Sequence, residues 1–137
     1  MSVKAVALDQ DGRVLLLRNE REEWELPGGR LEIGPPTGSN PADASPEETL
    51  ERELLEETGW TVESGEILDA WVYEPLPGRR VLILTYYCTV HTPDAVPVVS
   101  HEHSRIGLFA EHEVPDLTMP DGYKRSIAAV YAARAKR

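Results

Sequence analysis

The sequence predicts an α/β fold in which helices pack on a mixed β-sheet. Short apolar runs begin the chain, and one helix with clear start and stop signals occupies its middle. Further β-rich runs and an amphipathic tail follow that helix. Because strands lie on both sides of a single central helix, a mixed sheet fits this order better than a repeated βαβ unit.

The strands before the central helix are predicted from apolar runs that end at turn residues. They are Val3–Leu8, Arg13–Arg18 and the short segment Glu23–Leu26. The Asp11-Gly12 pair between the first two predicts a hairpin. Pro27-Gly28-Gly29 after the third predicts a turn, and the run of Pro, Gly, Ser and Asn at 35–45 predicts a loop.

The central helix is predicted to begin after Ser45 and to end before Gly59. Ser45 suits the N-cap, Pro46 the first helical position, and Glu48 completes a capping box. Glycine is the residue that most often closes a helix in the left-handed conformation.

The segments after the helix alternate between β-rich runs and turns, and end in a second helix. The predicted strands are Glu66–Tyr73, Val81–Val90, Val96–Val99 and Ile106–Phe109, with EPLPGRR as the turn between the first two. Apolar residues at helical spacing predict an amphipathic helix over Asp121–Arg134; they are Tyr123, Ile127, Val130 and Tyr131.

Composition limits the classes of function. The chain has 137 residues, which is most simply one domain (residues 1–137), and its net charge of −10 disfavours binding to long nucleic acid or an anionic membrane. No apolar run reaches membrane-spanning length and no signal peptide is apparent, so we expect a cytoplasmic protein. The single cysteine, Cys88, is expected to be a buried strand thiol.

The central helix concentrates negative charge on one side. At about 100° per residue, Glu53, Glu56 and Glu57 fall within an arc of about 100°, next to Leu50 and Leu54, which can anchor the helix on a sheet. Such a face is either a solvated surface or a site for a hard divalent cation, because Mg²⁺ prefers oxygen ligands and shares them with phosphates.

Two segments together resemble the signature of the Nudix hydrolases. They are WELPGGRLEIG, residues 24–34, and RELLEETGW, residues 52–60. In the family's pattern a Gly is followed after five residues by a Glu, and after seven more by Arg-Glu-aliphatic-any-Glu-Glu-any-Gly-apolar. The second segment matches completely, and Gly29 matches the first Gly. The resemblance implies a Nudix-type α/β/α sandwich along most of the chain.

The chain departs from the family pattern in the loop between the two segments. After five intervening residues from Gly29, the chain has Pro35 where the family has Glu. The segment PPTGSNPADA displaces the helix start by about nine residues. Counting back from Arg52 puts Ala44 and Gly38 at the two positions, but LPGGRLEIG is the better match. We therefore expect an inserted loop near the site, where it could influence which substrates enter.

The resemblance implies a role for each matching residue. Glu53, Glu56 and Glu57 look like ligands of Mg²⁺ or Mn²⁺, the carbonyl of Gly29 resembles an additional ligand, and Arg52 resembles the arginine that holds the glutamates. The implied reaction is attack of water on a phosphorus of a nucleoside diphosphate linked to some group X.

The identity of the general base and of the substrate stays open at this point. The base is Glu53 in parts of the family and a later glutamate in others; Glu102 is the candidate here, and its neighbours His101 and His103 make a His-x-His metal site conceivable. A small-molecule nucleotide is expected, and a homodimer is possible. The alternative function is a catalytically silent Nudix module that binds a nucleotide as a sensor or regulator.

Overall fold

A computed structural model describes residues 1–31, 45–92, 96–97 and 105–136. Its elements are β1 (Ser2–Ala7), β2 (Val14–Arg18), β3 (Trp24–Glu25), β4 (Gly28–Arg30), α1 (Pro46–Thr58), β5 (Val62–Leu76), β6 (Arg79–Val90), β7 (Arg105–Phe109), a 3-10 helix (Glu111–Asp116) and α2 (Asp121–Ala135). Neither α-helix of this described part is long and apolar enough to cross a membrane.

The strands form two sheets. One has the order β4-β1-β6-β5, in which β1 and β6 are parallel while β4 and β5 pair antiparallel with their neighbours. The other is antiparallel, with the order β3-β2-β7. The predicted mixed sheet is therefore confirmed.

The two α-helices cover opposite faces of the four-stranded sheet. Val3 and Ala5 of β1 share a buried cluster with Leu54 of α1, whereas Val6 shares one with Ile127 of α2. Because successive side chains of a strand point to opposite faces, β1 separates the two helices. This arrangement is the predicted α/β/α sandwich.

The hairpin predicted at Asp11-Gly12 is wrong beyond its first residue pair. The turn forms, since the Gly12 amide donates to the Asp9 carbonyl at 3.1 Å, but only Leu8 and Val14 bridge across it. Both edges of β1 are already occupied, by β4 and β6, so β2 leaves to pair in the other sheet.

The turn predicted at Pro27-Gly28-Gly29 is also wrong, because Gly28–Arg30 forms β4. Gly28 pairs with Lys4 and Gly29 with Val3. Gly28 has φ +151°, and a Cβ there would lie 2.0 Å from the Val3 carbonyl oxygen. Glycine therefore serves a close approach of two strands at this position.

The other predicted boundaries agree with the structure to different degrees. The helix limits are confirmed: the Ser45 hydroxyl accepts a hydrogen bond from the Glu48 amide at 3.1 Å, and Gly59 adopts φ +75°. The β5–β6 hairpin is longer than predicted, with a two-residue turn at 77–78. The strand predicted at Val96–Val99 is not formed at residues 96–97, and residues 98–99 lie outside the described residues.

Candidate metal and substrate site

Helix α1 presents its glutamates as the helical wheel predicts. Leu50 and Leu54 are fully buried, whereas Leu55 on the other side is 54% exposed. The three glutamates differ in exposure: Glu57 is 4% exposed, and the side chains of Glu53 and Glu56 are 20% and 58% exposed. Together, Glu53, Glu56 and Glu57 are called the carboxylate cluster. Its members thus lie at the boundary between the core and solvent.

The buried end of the carboxylate cluster is attached to β4. The backbone amide of Gly28 donates a hydrogen bond of 3.1 Å to Oε1 of Glu57. A buried carboxylate is costly unless it is hydrogen-bonded, and a charge-assisted bond is stronger than a neutral one. This contact therefore joins α1 to the glycine pair, across 29 residues of chain.

The middle of the carboxylate cluster lies directly over the second glycine. A Cβ at position 29 would be 2.5 Å from Cδ of Glu53 and 2.9 Å from its Oε1. Any side chain on Gly29 would displace Glu53 from its present position. The Gly-Gly pair thus serves two different purposes, a strand approach at Gly28 and space for a carboxylate at Gly29.

Arg52 lies between the other two carboxylates. Its Nη1 is 3.6 Å from Oε1 of Glu53 and 3.5 Å from Oε1 of Glu56. A positive charge at these distances offsets the repulsion between glutamates on neighbouring turns. The arginine therefore contacts both of these glutamates, and it contributes no ligand atom for a cation.

The donor set of the carboxylate cluster suits a hard divalent cation. Carboxylate and carbonyl oxygens are the ligands that Mg²⁺ and Mn²⁺ prefer. Within the part of the chain that the structure describes, no three His, Cys, Asp or Glu side chains converge into a metal-binding group. Instead, Arg52 holds Glu53 and Glu56 while Gly28 holds Glu57, so simultaneous ligation would require these side chains to turn inward.

Several sequence predictions fall outside the described residues. They are the alternative general base Glu102, the neighbouring His101 and His103, and the inserted loop at 35–44. Their roles stay predictions from the sequence.

A cavity of about 250 Å³ opens on the α2 side of the four-stranded sheet. Polar and charged side chains line one part of it and apolar or aromatic ones the other; they are Ser2, Lys4, Arg21, Glu25, Tyr73, Pro75, Leu76, Arg79, Val81, Ile83 and Tyr123. Burial raises the pKa of Tyr73, one of the lining residues, above its ordinary value.

Aromatic side chains lie on both faces of the four-stranded sheet. Tyr73 and Tyr123 line the cavity, and Trp71 supports both, with ring centroids 5.6 Å and 5.2 Å away. Tyr86 is instead buried on the α1 side, where its hydroxyl donates to Glu47 at 2.8 Å. The structure therefore brings Tyr73 and Tyr123 to the cavity and places Tyr86 in the core.

The cavity was not predicted from the sequence, and two of its charged residues are Lys4 and Glu25. Lys4 interrupts the apolar run SVKAVA, and a lysine inside a strand with buried neighbours is a signal that could have been noticed. Glu25 directly follows Trp24 and carries no comparable signal. Its Oε2 accepts a hydrogen bond of 3.2 Å from Asn19.

Comparison with known proteins agrees with the fold. The model of the NUDIX domain matches residues 1–130. A MutT-like protein of Streptomyces ambofaciens is 32% identical over 135 residues, which cover 98% of this chain and 73% of that protein. An RNA pyrophosphohydrolase of Stenotrophomonas maltophilia is 37% identical over 84 residues, which cover 58% of this chain but only 36% of that protein.

Solved structures show the same architecture. The crystal structure of a MutT protein from Methanosarcina mazei Go1 superposes with a TM-score of 0.72 at 26% identity. The superposition covers 99% of this chain and 94% of the other. The α/β/α arrangement described above is thus shared along nearly the whole chain.

Proposed function

The chain belongs to the NUDIX family of hydrolases, which act on pyrophosphate bonds, and we propose that it hydrolyses a nucleoside diphosphate linked to a group X with Mg²⁺ or Mn²⁺. The observation that carries this proposal is the attachment of the carboxylate cluster to the glycine pair. Gly28 binds Glu57 at 3.1 Å and Gly29 leaves room for Glu53, so the helix and the strand that carry the proposed ligands are in direct contact.

The proposed cation ligands are Glu53, Glu56, Glu57 and the backbone carbonyl of Gly29. A divalent cation bound there would supply neutralisation of the diphosphate charge and a lower pKa for the attacking water. Arg52 would position Glu53 and Glu56, which it contacts at 3.6 and 3.5 Å. Two tasks then remain for the side chains of the protein: alignment of the diphosphate and removal of one proton from the attacking water.

Glu53 is the general base that we favour. Its side chain is 20% exposed, so its carboxylate is accessible to water. Glu102 is the alternative. The variant Glu102→Gln, measured for kcat at saturating metal, separates the two, because Glu102 is not a proposed ligand: its kcat should stay near that of the wild type if Glu53 is the base and should fall if Glu102 is the base.

A small nucleotide is the proposed substrate rather than long RNA. The resemblance to an RNA pyrophosphohydrolase covers 58% of this chain, and a net charge of −10 disfavours binding to the phosphate backbone of a polynucleotide. The cavity of about 250 Å³, with Tyr73 and Tyr123 in its walls, is of a size that suits part of a nucleotide.

The test is a screen of nucleoside triphosphates, dinucleoside polyphosphates and nucleotide sugars with the purified protein. We expect release of phosphate or nucleoside monophosphate from at least one of them with Mg²⁺ or Mn²⁺, and none in EDTA. Tight nucleotide binding without turnover under all metal conditions would instead support the silent sensor module. Hydrolysis that continues undiminished in EDTA would contradict the metal requirement.

A further inference from the structure

Lys4 is a buried cation on the sheet face that lies away from α1. The residue is 9% exposed, and its Nζ lies 6.0 Å from the centroid of the Tyr123 ring. Among the described residues, no carboxylate forms an ion pair with it. Because the removal of an ammonium group from water is costly, buried lysines normally have an anionic partner.

The cavity that Lys4 lines is locally cationic in an acidic protein. Lys4, Arg21 and Arg79 face it, against the single carboxylate of Glu25, although the whole chain has a net charge of −10. Arg21 is already paired with Glu23 at 3.1 Å. Lys4 and Arg79 are thus the two lining cations without a carboxylate partner among the described residues.

The cavity and the carboxylate cluster lie on opposite sides of a single edge strand. Gly28 of β4 pairs with Lys4, and the side chain of Lys4 points to the α2 side. The backbone amide of Gly28 binds Glu57 on the α1 side. Strand β4 is the outermost strand of its sheet, and neighbouring strands are only about 4.8 Å apart. The cavity and the carboxylate cluster are therefore separated by one strand at the edge of the sheet.

We propose that the cavity receives an anionic group, phosphate or carboxylate, carried by the X part of the substrate, and that Lys4 and Arg79 select for it. This inference rests on the proposed function, since the carboxylate cluster on the other side of β4 would hold the diphosphate. A neutral carbonyl oxygen can accept hydrogen bonds but leaves the two positive charges uncompensated, whereas an anionic group compensates the charge of the buried ammonium and of the guanidinium.

The first measurement is calorimetric titration of the metal-free protein with inorganic phosphate in EDTA. Without a cation the carboxylate cluster repels phosphate, so saturable binding reports on the cavity. We expect Lys4→Met and Arg79→Gln each to weaken binding by about 10-fold or more. Arg80→Gln is the matched control, because this substitution removes the same charge from a residue that does not line the cavity. Nε of Arg80 lies 3.9 Å from Oε1 of Glu74.

The second measurement assigns the anion to the X group. UDP-glucuronate and UDP-glucose differ by one carboxylate on X, and we expect the wild type to bind the former about 10-fold more tightly in the same buffer. Lys4→Met should remove that ratio. Equal affinities in the wild type, including no measurable binding of either compound, would overturn the proposal, as would phosphate binding that both variants leave unchanged.

The outcomes separate this inference from the proposed function. Absence of metal-dependent hydrolysis across the whole screen contradicts the proposed function, while the titrations in EDTA still report on Lys4. Lys4→Met replaces a buried charge by an apolar chain of similar length and should keep the fold. If its thermal melt shows otherwise, Arg79→Gln at the exposed rim of the cavity decides the question.

Discussion

The amide of Gly28 and the carboxylate of Glu57 lie 3.1 Å apart, although 29 residues separate them in the chain. This bond joins the two halves of the signature in space. It also helps α1 to tolerate a buried carboxylate, since Glu57 is 4% exposed and the Gly28 amide replaces part of its hydration. A residue that serves as a structural anchor is thus also a proposed ligand.

Glu57→Gln should separate these two tasks. The amide oxygen of glutamine can still accept from Gly28, so we expect a melting temperature close to that of the wild type. Loss of one ligand charge should lower turnover by about 10²-fold. The measurement is kcat at saturating Mg²⁺ together with thermal melting. Glu48→Gln, an exposed charge on the same helix, is the control, and near-native turnover of the Glu57 variant would rule out a ligand role.

Arg52→Gln should lower kcat without raising the metal requirement. The guanidinium contacts Glu53 and Glu56, so its loss lets both carboxylates turn while it makes their surroundings more negative. We expect kcat to fall by about 10-fold and the half-saturating Mg²⁺ concentration to stay constant or decrease. A parallel rise of that concentration would show that Arg52 supports metal binding rather than carboxylate orientation.

The sequence predicted those parts of the molecule that depend on local signals. The caps Ser45 and Gly59, the buried Leu50 and Leu54 and the face of α2 follow from neighbouring residues, and the structure confirms them. The pairing of Gly28 with Lys4 does not, because it depends on which strands already occupy the edges of β1. The cavity was missed for the same reason: its lining comes from strands distant in sequence.

Cys88 should be unreactive in the folded protein and should contribute to the loss of stability at alkaline pH. It is 1% exposed, and burial raises the pKa of its thiol from 9.0 to about 12. The folded state therefore keeps its proton where the unfolded state loses it. Between about pH 9 and 12 the free energy of unfolding should fall with rising pH, by at most about 1.4 kcal/mol per unit from this group.

Two measurements check the prediction for Cys88. A thiol reagent at pH 8 should label the native protein very slowly and the denatured protein at once. Denaturant titrations from pH 8 to 10 should show a shallower loss of stability in Cys88→Ala than in the wild type. Rapid labelling of native protein would mean that the thiol is accessible, against its position in β6.

The adjacent glycines of β4 should respond to alanine in opposite ways. In Gly28→Ala the new Cβ would lie 2.0 Å from the Val3 carbonyl oxygen, at φ +151°, and a backbone atom in a central strand cannot move aside. We expect a loss of about 2 kcal/mol or more in the free energy of unfolding. Gly78→Ala is the control for positive φ alone, since nothing lies within 4 Å of its Cβ and φ is +84°.

Gly29→Ala meets a side chain instead of a backbone atom. Its Cβ would lie 2.5 Å from Cδ of Glu53, which can rotate away, so stability should change little. Turnover should fall, because the new methyl group occupies the space beside β4 that Glu53 needs as proposed ligand and base. Melting temperature and kcat measured on both variants test the contrast. A Gly29 variant that melts early but retains its kcat would show that this glycine serves the strand, and that the space it leaves for Glu53 is incidental to catalysis.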